Sequence, residues 1–152
     1  MICIAINATF VWMTVTVHKV LSDHDLDAIY EIRQEVFVVE QEVPHELEYD
    51  EFEETSHHFI AKLEGDAVGT ARWRKTPNGI KLERFAVVKD KRNQGIGGEL
   101  VRAVLEDVPS GFTIYLHSQL PATSLYERYG FQREGGTFEE AGIMHYKMVL
   151  SK

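Results

Sequence analysis

Apolar and polar residues alternate at both ends and in the middle of this chain, with helical spacing between the alternating runs. Met13 opens a period-two strand, Thr14-Val15-Thr16-Val17-His18. Ser22-Asp23-His24-Asp25 is a helix-start cluster. Leu26, Ile29, Tyr30, Ile32, Arg33, Val36 and Phe37 then recur at near-helical spacing, which predicts a helix to about Val38. Gln41 to Glu54 is acidic with Pro44 inside it, and reads as a loop or a short broken helix. His57-Phe59-Ala61-Leu63 alternates as a strand, and Glu64-Gly65-Asp66 turns it into Ala67 to Lys75. Pro77-Asn78-Gly79 is a hairpin signal leading into Ile80 to Val88.

In the second half helix and strand alternate. Gly97 to Asp107 carries Leu100, Val101, Val104 and Leu105 on one helical face, and Pro109-Ser110-Gly111 breaks it before the strand Phe112 to His117. Pro121 suits the first turn of a helix ending at Tyr129, where Gly130 is the stop. Phe131-Gln132-Arg133 and Ile143 to Val149 are the closing strands, and Gly135-Gly136 is expected to be a flexible connection. Strand, helix, three antiparallel strands, helix, strand, helix, strand describes an α/β sandwich with a mixed sheet.

Composition narrows the function. A chain of 152 residues, 44% hydrophobic and 26% charged, is expected to be one domain over residues 1–152. A net charge of -8 argues against binding driven by a nucleic-acid backbone. The lone cysteine, Cys3, excludes an intrachain disulfide and fits a reducing, cytoplasmic setting. Neither C-x-x-C nor H-E-x-x-H occurs, so no metal is expected. Met1 to Met13 is apolar but too short for a membrane span, and it lacks the basic start and cleavage site of a signal peptide. Residues 1–12 are read as an extension or an added strand.

The chemistry concentrates in Arg92-Asn93-Gln94-Gly95-Ile96-Gly97-Gly98, between an apolar run and a helical pattern. Strand, glycine loop, helix is a way to bind an anion with backbone N–H groups and the positive end of a helix. A Walker loop is excluded because Gly98-Glu99 stands where Lys-Ser/Thr belongs. A dinucleotide fingerprint is excluded because Leu100 stands where its third glycine belongs. The spacing Arg92, Gly95, Gly97 after Phe85-Ala86-Val87 resembles the coenzyme A pyrophosphate loop of the GNAT superfamily of N-acetyltransferases.

Two further segments carry the same resemblance. Gln119-Leu120-Pro121-Ala122-Thr123-Ser124-Leu125-Tyr126-Glu127-Arg128-Tyr129-Gly130-Phe131 is similar to the superfamily's N-x-x-A-x-x-L/F-Y-x-x-x-G-F segment, with Gln119 in place of Asn. Ile32 to Pro44, Glu48-Tyr49-Asp50 and Glu140 to His145 resemble the ElaA-like branch. The resemblance spans nearly all of residues 22–148. It implies a GNAT-type mixed, mostly antiparallel sheet flanked by helices on both faces, with acetyl-CoA as co-substrate and an amine as acceptor. It further implies that the backbone of Phe85, Ala86 and Val87 binds the pantetheine arm. Arg92, Asn93, Gln94, Gly95, Ile96, Gly97 and Gly98 bind the pyrophosphate, Gln119 lies beside the thioester, and Tyr126 protonates the leaving thiolate. Lys89, Lys91 and Arg92 make the loop locally positive.

The acceptor side is less defined by sequence. Candidate bases for the incoming amine are Glu83, ranked first though it could equally form a strand-face salt bridge to Arg72, Arg74 or Arg84, then His117 and His145, with Glu42 or Glu48 acting through water. Glu40 to Glu54 is either a wall that attracts a cationic amine or a solvated loop, and solvation is the usual fate of such a run. The expected reaction is direct acetyl transfer to a primary amine in a ternary complex. The rival is a non-catalytic acyl-CoA-binding or regulatory module. Expected partners are a small-molecule or peptide amine, with no nucleic acid and no membrane, and a homodimer stays open.

Overall fold

The computed structural model describes residues 2–6 and 9–151, with side chains from residue 13 onward. β1 (Ile2–Ile6) and β2 (Thr9–Met13) pair as a two-stranded antiparallel sheet separate from the main one; residues 1, 7 and 8 of the expected extension lie outside the described residues. β3 (Val15–Lys19) starts the main sheet, and α1 (Asp23–Arg33) follows. The Ser22 hydroxyl accepts from the Asp25 N–H at 3.2 Å, and Asp23 and Asp25 lie at the positive end of the helix. The chain does not stop at Val38 as the periodicity predicts. It widens into a π-helical segment, Gln34–Glu40, which buries Val36 and Phe37. α2 (His45–Glu48) is one short turn begun after Pro44.

β4 (His57–Leu63), β5 (Asp66–Thr76) and β6 (Gly79–Val87) form a meander. α3 (Ile96–Asp107), β7 (Ile114–Gln119), α4 (Thr123–Glu127), β8 (Phe131–Glu140) and β9 (Ile143–Leu150) complete the chain. The seven-stranded order is β3-β4-β5-β6-β7-β9-β8, antiparallel throughout except for the β6/β7 pair. This is the expected mixed, mostly antiparallel sheet with helices on both faces. One expectation is corrected. Gly135-Gly136 is not a connection but lies inside β8, where the register shifts between Glu134 and Thr137, so the glycines absorb a bulge within a continuing strand. No helix among the described residues is long and apolar enough to cross a membrane.

Period-two alternation divides the strands between two environments. Phe59, Ala61, Leu63, Ala71, Trp73, Ile80, Leu82 and Leu116 join Leu100, Val101 and Val104 of α3 in the main core. Each of the buried Val, Leu, Ile and Phe side chains contributes about 1.5–3 kcal/mol. Intervening positions of β5 and β6 carry Arg72, Arg74, Lys81 and Glu83 instead. A smaller cluster of Ile32, Val36, Phe37, Val43 and Ala86 ties the π-helical segment to β6.

Two irregularities open the sheet. On β6, Arg84 and Phe85 together oppose the single residue Ala71 of β5, and Arg84 takes φ +61°, a conformation uncommon for a side-chain-bearing residue. The parallel pairing of β6 with β7 spans only Ile80–Leu82 against Ile114–Leu116. β7 stays paired to β9 as far as Gln119 and β6 to β5 as far as Val87, so the sheet splays between β6 and β7.

Candidate active site

Beyond Leu82 and Leu116 the parted strands leave a cavity of about 590 Å³, within the range of small-ligand sites. Its lining includes Glu83, Phe85, Ala86, Val87, Arg92, Gln119 and Tyr126, seven residues that sequence places far apart. The β6 backbone past the parting has no strand partner on the β7 side, which leaves it able to pair with an extended ligand.

The loop that continues β6 leads into the N-terminus of α3. Arg92 donates from Nε to the Val87 carbonyl at 2.8 Å, which pins it beside the strand. Gly95 caps α3 at φ +84°, where a side chain would be strained, and Asn93 is at φ +60°. The Glu99 N–H donates to the Gly95 carbonyl at 3.1 Å, so the N–H groups before it precede the helical ladder. The loop residues differ in task. Ile96 is a core residue at 1% exposure, and a Cβ on Gly98 would come within 2.8 Å of the Tyr129 hydroxyl. Asn93, Gln94, Gly95, Ile96, Gly97 and Gly98 shape the loop next to the cavity without lining it.

Tyr126 is 6% exposed, and its ring meets Phe85 and Phe131 edge-on at 5.6 and 6.1 Å. Burial pushes its phenol well above the usual range, so it remains protonated at neutral pH. Gln119 Nε2 donates to Gln41 Oε1 at 2.8 Å, and Arg92 forms a two-pronged pair with Glu40 at 2.6 and 2.7 Å. The end of the π-helical segment therefore touches both rims of the opening, at β7 and at the loop.

Glu83 lies among cations from its own strand and from β5. Arg74 Nε lies 2.5 Å from Glu83, Arg72 Nη2 3.1 Å, Lys81 Nζ 3.4 Å and Arg84 Nη1 3.9 Å. Burial alone would push this carboxyl up, but Arg72, Lys81, Arg84 and Arg74 together hold it below the usual range. A carboxylate so neutralised has little proton affinity left, so its surroundings suit a counter-ion better than a base.

The stretch from Glu40 to Glu54 divides: Glu40, Glu42, Glu46, Glu51 and Glu54 are exposed, as a solvated run would have them, while Glu48, Asp50 and Glu53 turn inward onto arginines. Glu48 is 3% exposed and pairs with Arg33 at 2.6 Å and Arg84 at 3.1 Å. Asp50 pairs with Arg72 at 2.6 Å, and Glu53 with Arg33 at 2.7 Å. Arg33 and Arg72, both fully buried, have these acids as their counter-charges. Glu42 is exposed at φ +57° and does not line the cavity.

His117 and His145 both line the cavity. His117 Nδ1 lies 3.4 Å from Glu140 Oε2, and the Phe138 ring stands between the two histidines, 4.8 Å from one and 5.9 Å from the other. His145 Nδ1 donates to the Ile143 carbonyl at 2.7 Å. Sequence reasoning missed Glu140, Gln41 and Lys81 as cavity residues. Glu140 and Gln41 left a trace, as parts of recognisable segments, while Lys81 looks like an ordinary surface residue until the fold closes. Among the described residues no group of His, Cys, Asp or Glu is placed to hold a metal ion.

Comparison with known proteins agrees with this geometry. The family described as "Acetyltransferase (GNAT) domain" matches residues 19–152. The protein named "Uncharacterized N-acetyltransferase YjcF" from Bacillus subtilis is 37% identical over 126 residues, covering 81% of this chain and 89% of that one. An acyl-CoA N-acyltransferase from Pseudomonas aeruginosa superposes with a TM-score of 0.72 at 25% identity, over 92% of this chain and 100% of the other. ElaA from Escherichia coli shares the fold with a TM-score of 0.75 at 24% identity, over 92% and 100%.

Proposed function

The chain belongs to the GNAT acetyltransferase family, an enzyme family that uses acetyl-CoA, and we propose that it transfers the acetyl group to a primary amine by direct attack in a ternary complex. The observation that carries this reading is the parting of β6 from β7, with Phe85–Val87, Arg92, Gln119 and Tyr126 on the walls of one cavity. The unpaired β6 backbone holds the pantetheine arm as a strand would. The N-terminus of α3, with Arg92, takes the pyrophosphate. A β6 N–H group donates to the thioester oxygen as negative charge develops there, the kind of preorganised contact that is often the largest catalytic contribution.

The neutral amine attacks the carbonyl carbon, the C–N bond forms and the C–S bond breaks. The departing thiolate takes the Tyr126 proton. Burial strengthens the phenol's hold on that proton, but it strengthens a thiolate's demand for one in the same cavity too. The amine gives up its own protons on the acceptor side. We place the chain in the ElaA-like branch on the strength of the Ile32–Pro44 and Glu140–His145 segments. We treat residues 1–152 as one domain, with residues 1–12 as an extension, acting in the cytoplasm on a small-molecule or peptide amine.

The test follows free thiol release from acetyl-CoA across a panel of primary amines. Amine-dependent release is expected, with acetyl-amine as the product. Tight acetyl-CoA binding without release for any amine would favour the regulatory module instead.

A further inference from the structure

Glu83 is tied to four cations, so the proton acceptor has to be found elsewhere on the cavity wall. At the apex of the parted strands, the first residue of β7 beyond its last pairing with β6 is His117. Its side chain is 23% exposed and lines the cavity that also contains Tyr126 and Phe85–Val87. No arginine or lysine is paired with it among the described residues, and its near neighbour is the Glu140 carboxylate, 3.4 Å from Nδ1.

The fold fixes that carboxylate with some care. Glu140 is the last residue of β8 and pairs with Ile143 across a two-residue turn, Ala141-Gly142. Both turn residues have positive φ, +51° and +76°, which is the tight hairpin geometry that sets register firmly. Phe138, two residues earlier on the same face, packs edge-on against the His117 ring, with centroids 4.8 Å apart at 78°. The ring is thus held by an aromatic edge and a carboxylate from one strand.

We propose that His117 is the base that accepts the amine proton and that Glu140 is its positioning residue, a reading that rests on the acetyl-transfer function proposed above. A carboxylate beside Nδ1 favours the tautomer protonated there and leaves the Nε2 lone pair for the substrate. The ammonium of the acceptor gives one proton to Nε2, and the freed amine forms the new C–N bond as the C–S bond breaks. Its second proton replaces the one Tyr126 gave to the thiolate, and His117 returns its proton to solvent. One proton is released for each acetyl-amine and thiol formed.

Other charged and titratable groups surround the ring. On β7 itself Tyr115 lies 6.0 Å away, centroid to centroid, and on β9 Lys147 is the register partner of His117. His145 on β9 and Lys81 and Glu83 on β6 line the same cavity. Lys147 is paired to Glu134 and Lys81 to Glu83, so neither competes for the Glu140 carboxylate as an ion-pair partner. His145 is the rival base, but it is a buried residue whose Nδ1–H is spent on the Ile143 carbonyl, and no carboxylate is within ion-pair distance of it among the described residues.

The experiment compares wild type with H117A, H117Q, E140Q and H145Q in thiol release with the best amine of the panel, as a function of pH and of added imidazole. H117A and H117Q are expected to lower kcat by roughly 10²- to 10⁴-fold, the range of a positioned base. They should lose the acidic limb of the wild-type pH profile and bind acetyl-CoA as wild type does in calorimetry. Imidazole should restore part of the H117A rate, which a merely structural role would not allow. E140Q should lower kcat by about tenfold, less than loss of the base itself, with KM for acetyl-CoA unmoved. H145Q should keep the limb. Activity of H117A or H117Q within about threefold of wild type, or loss of the limb in H145Q alone, would overturn the assignment while leaving acetyl transfer intact. Absence of release from wild type with every amine overturns acetyl transfer and this assignment together.

Discussion

Replacing Arg33 with Met tests whether the acidic stretch is internal wiring or surface charge. The guanidinium is wholly buried. Nε lies 2.6 Å from Glu48 Oε1, Nη2 2.8 Å from the Glu48 carbonyl, and Nη1 and Nη2 2.8 and 2.7 Å from the two Glu53 oxygens. It also lies 5.4 and 5.1 Å from the ring centroids of Tyr30 and Tyr49. Methionine fills much of the volume and none of the hydrogen bonding. Removing one partner of a buried pair costs about 3–5 kcal/mol. Here Glu48 keeps Arg84 at 3.1 Å and Glu53 keeps Arg72 at 3.0 Å, so the lower end, about 3 kcal/mol, is expected. For a chain of this length that is a fall in Tm of roughly 6–12 °C.

The pH dependence gives a second check on the same variant. Burial pushes the Glu48 carboxyl up despite Arg84 and Arg33, so its ionisation already opposes folding as pH rises through its folded pKa. Glu53, also buried, is held below its usual range mainly by Arg33 and Arg72, and its contribution is lost as pH falls through its folded pKa. Without Arg33 the first penalty grows and the second gain shrinks. Both changes matter only while the carboxylates are charged, so the gap between R33M and wild type should narrow as pH falls through the carboxylate range. Circular-dichroism melts and urea titrations at pH 7 and at mildly acidic pH measure it. A Tm within about 2 °C of wild type at pH 7, or a gap that widens in acid, would refute the buried-network account.

Tyr126→Phe should lower turnover by roughly 10²- to 10⁴-fold with cofactor affinity nearly unchanged, and steady-state kinetics beside calorimetry would show both. A Cβ on Gly97 would meet only Leu125 Cδ2, at 3.4 Å, so Gly97→Val should fold. It should weaken acetyl-CoA binding at least about tenfold, or 1.4 kcal/mol, and unchanged calorimetric affinity would remove the loop from the cofactor site. Glu40→Gln releases Arg92 from a partly exposed pair, so acetyl-CoA should bind up to about fivefold tighter, most visibly at low salt, if Arg92 serves the pyrophosphate. No change on that substitution would mean that Arg92 does not serve the pyrophosphate.

Much of this protein was readable along the chain because its signals are local. Alternation marked β3 and β4, turn and breaker residues bounded β5 to β7, the Ser22 cluster marked the start of α1, and Arg92 to Gly98 marked a glycine turn at the start of α3. What escaped were features made by residues distant in sequence. The apolar run Val36 to Val39 gave no sign that the helix would widen into a π-helical segment and bring Glu40 to Arg92 and Gln41 to Gln119. Gly135-Gly136 looked like a break, because a glycine pair reads the same whether a strand stops or bulges. For Glu83 the strand pattern already offered Arg72, Arg74 and Arg84 as partners, but the charges of Glu48, Asp50 and Glu53 were visible without theirs. Arg33 comes from α1, Arg72 from β5 and Arg84 from β6, and only packing strands and helix around them removes the water that would otherwise screen each one. The cavity is the clearest case. It exists because β6 and β7 pair for three residues and then splay apart at the Arg84 bulge. Pairing of that kind is decided by the hydrogen-bond register between strands, which no single stretch of sequence contains.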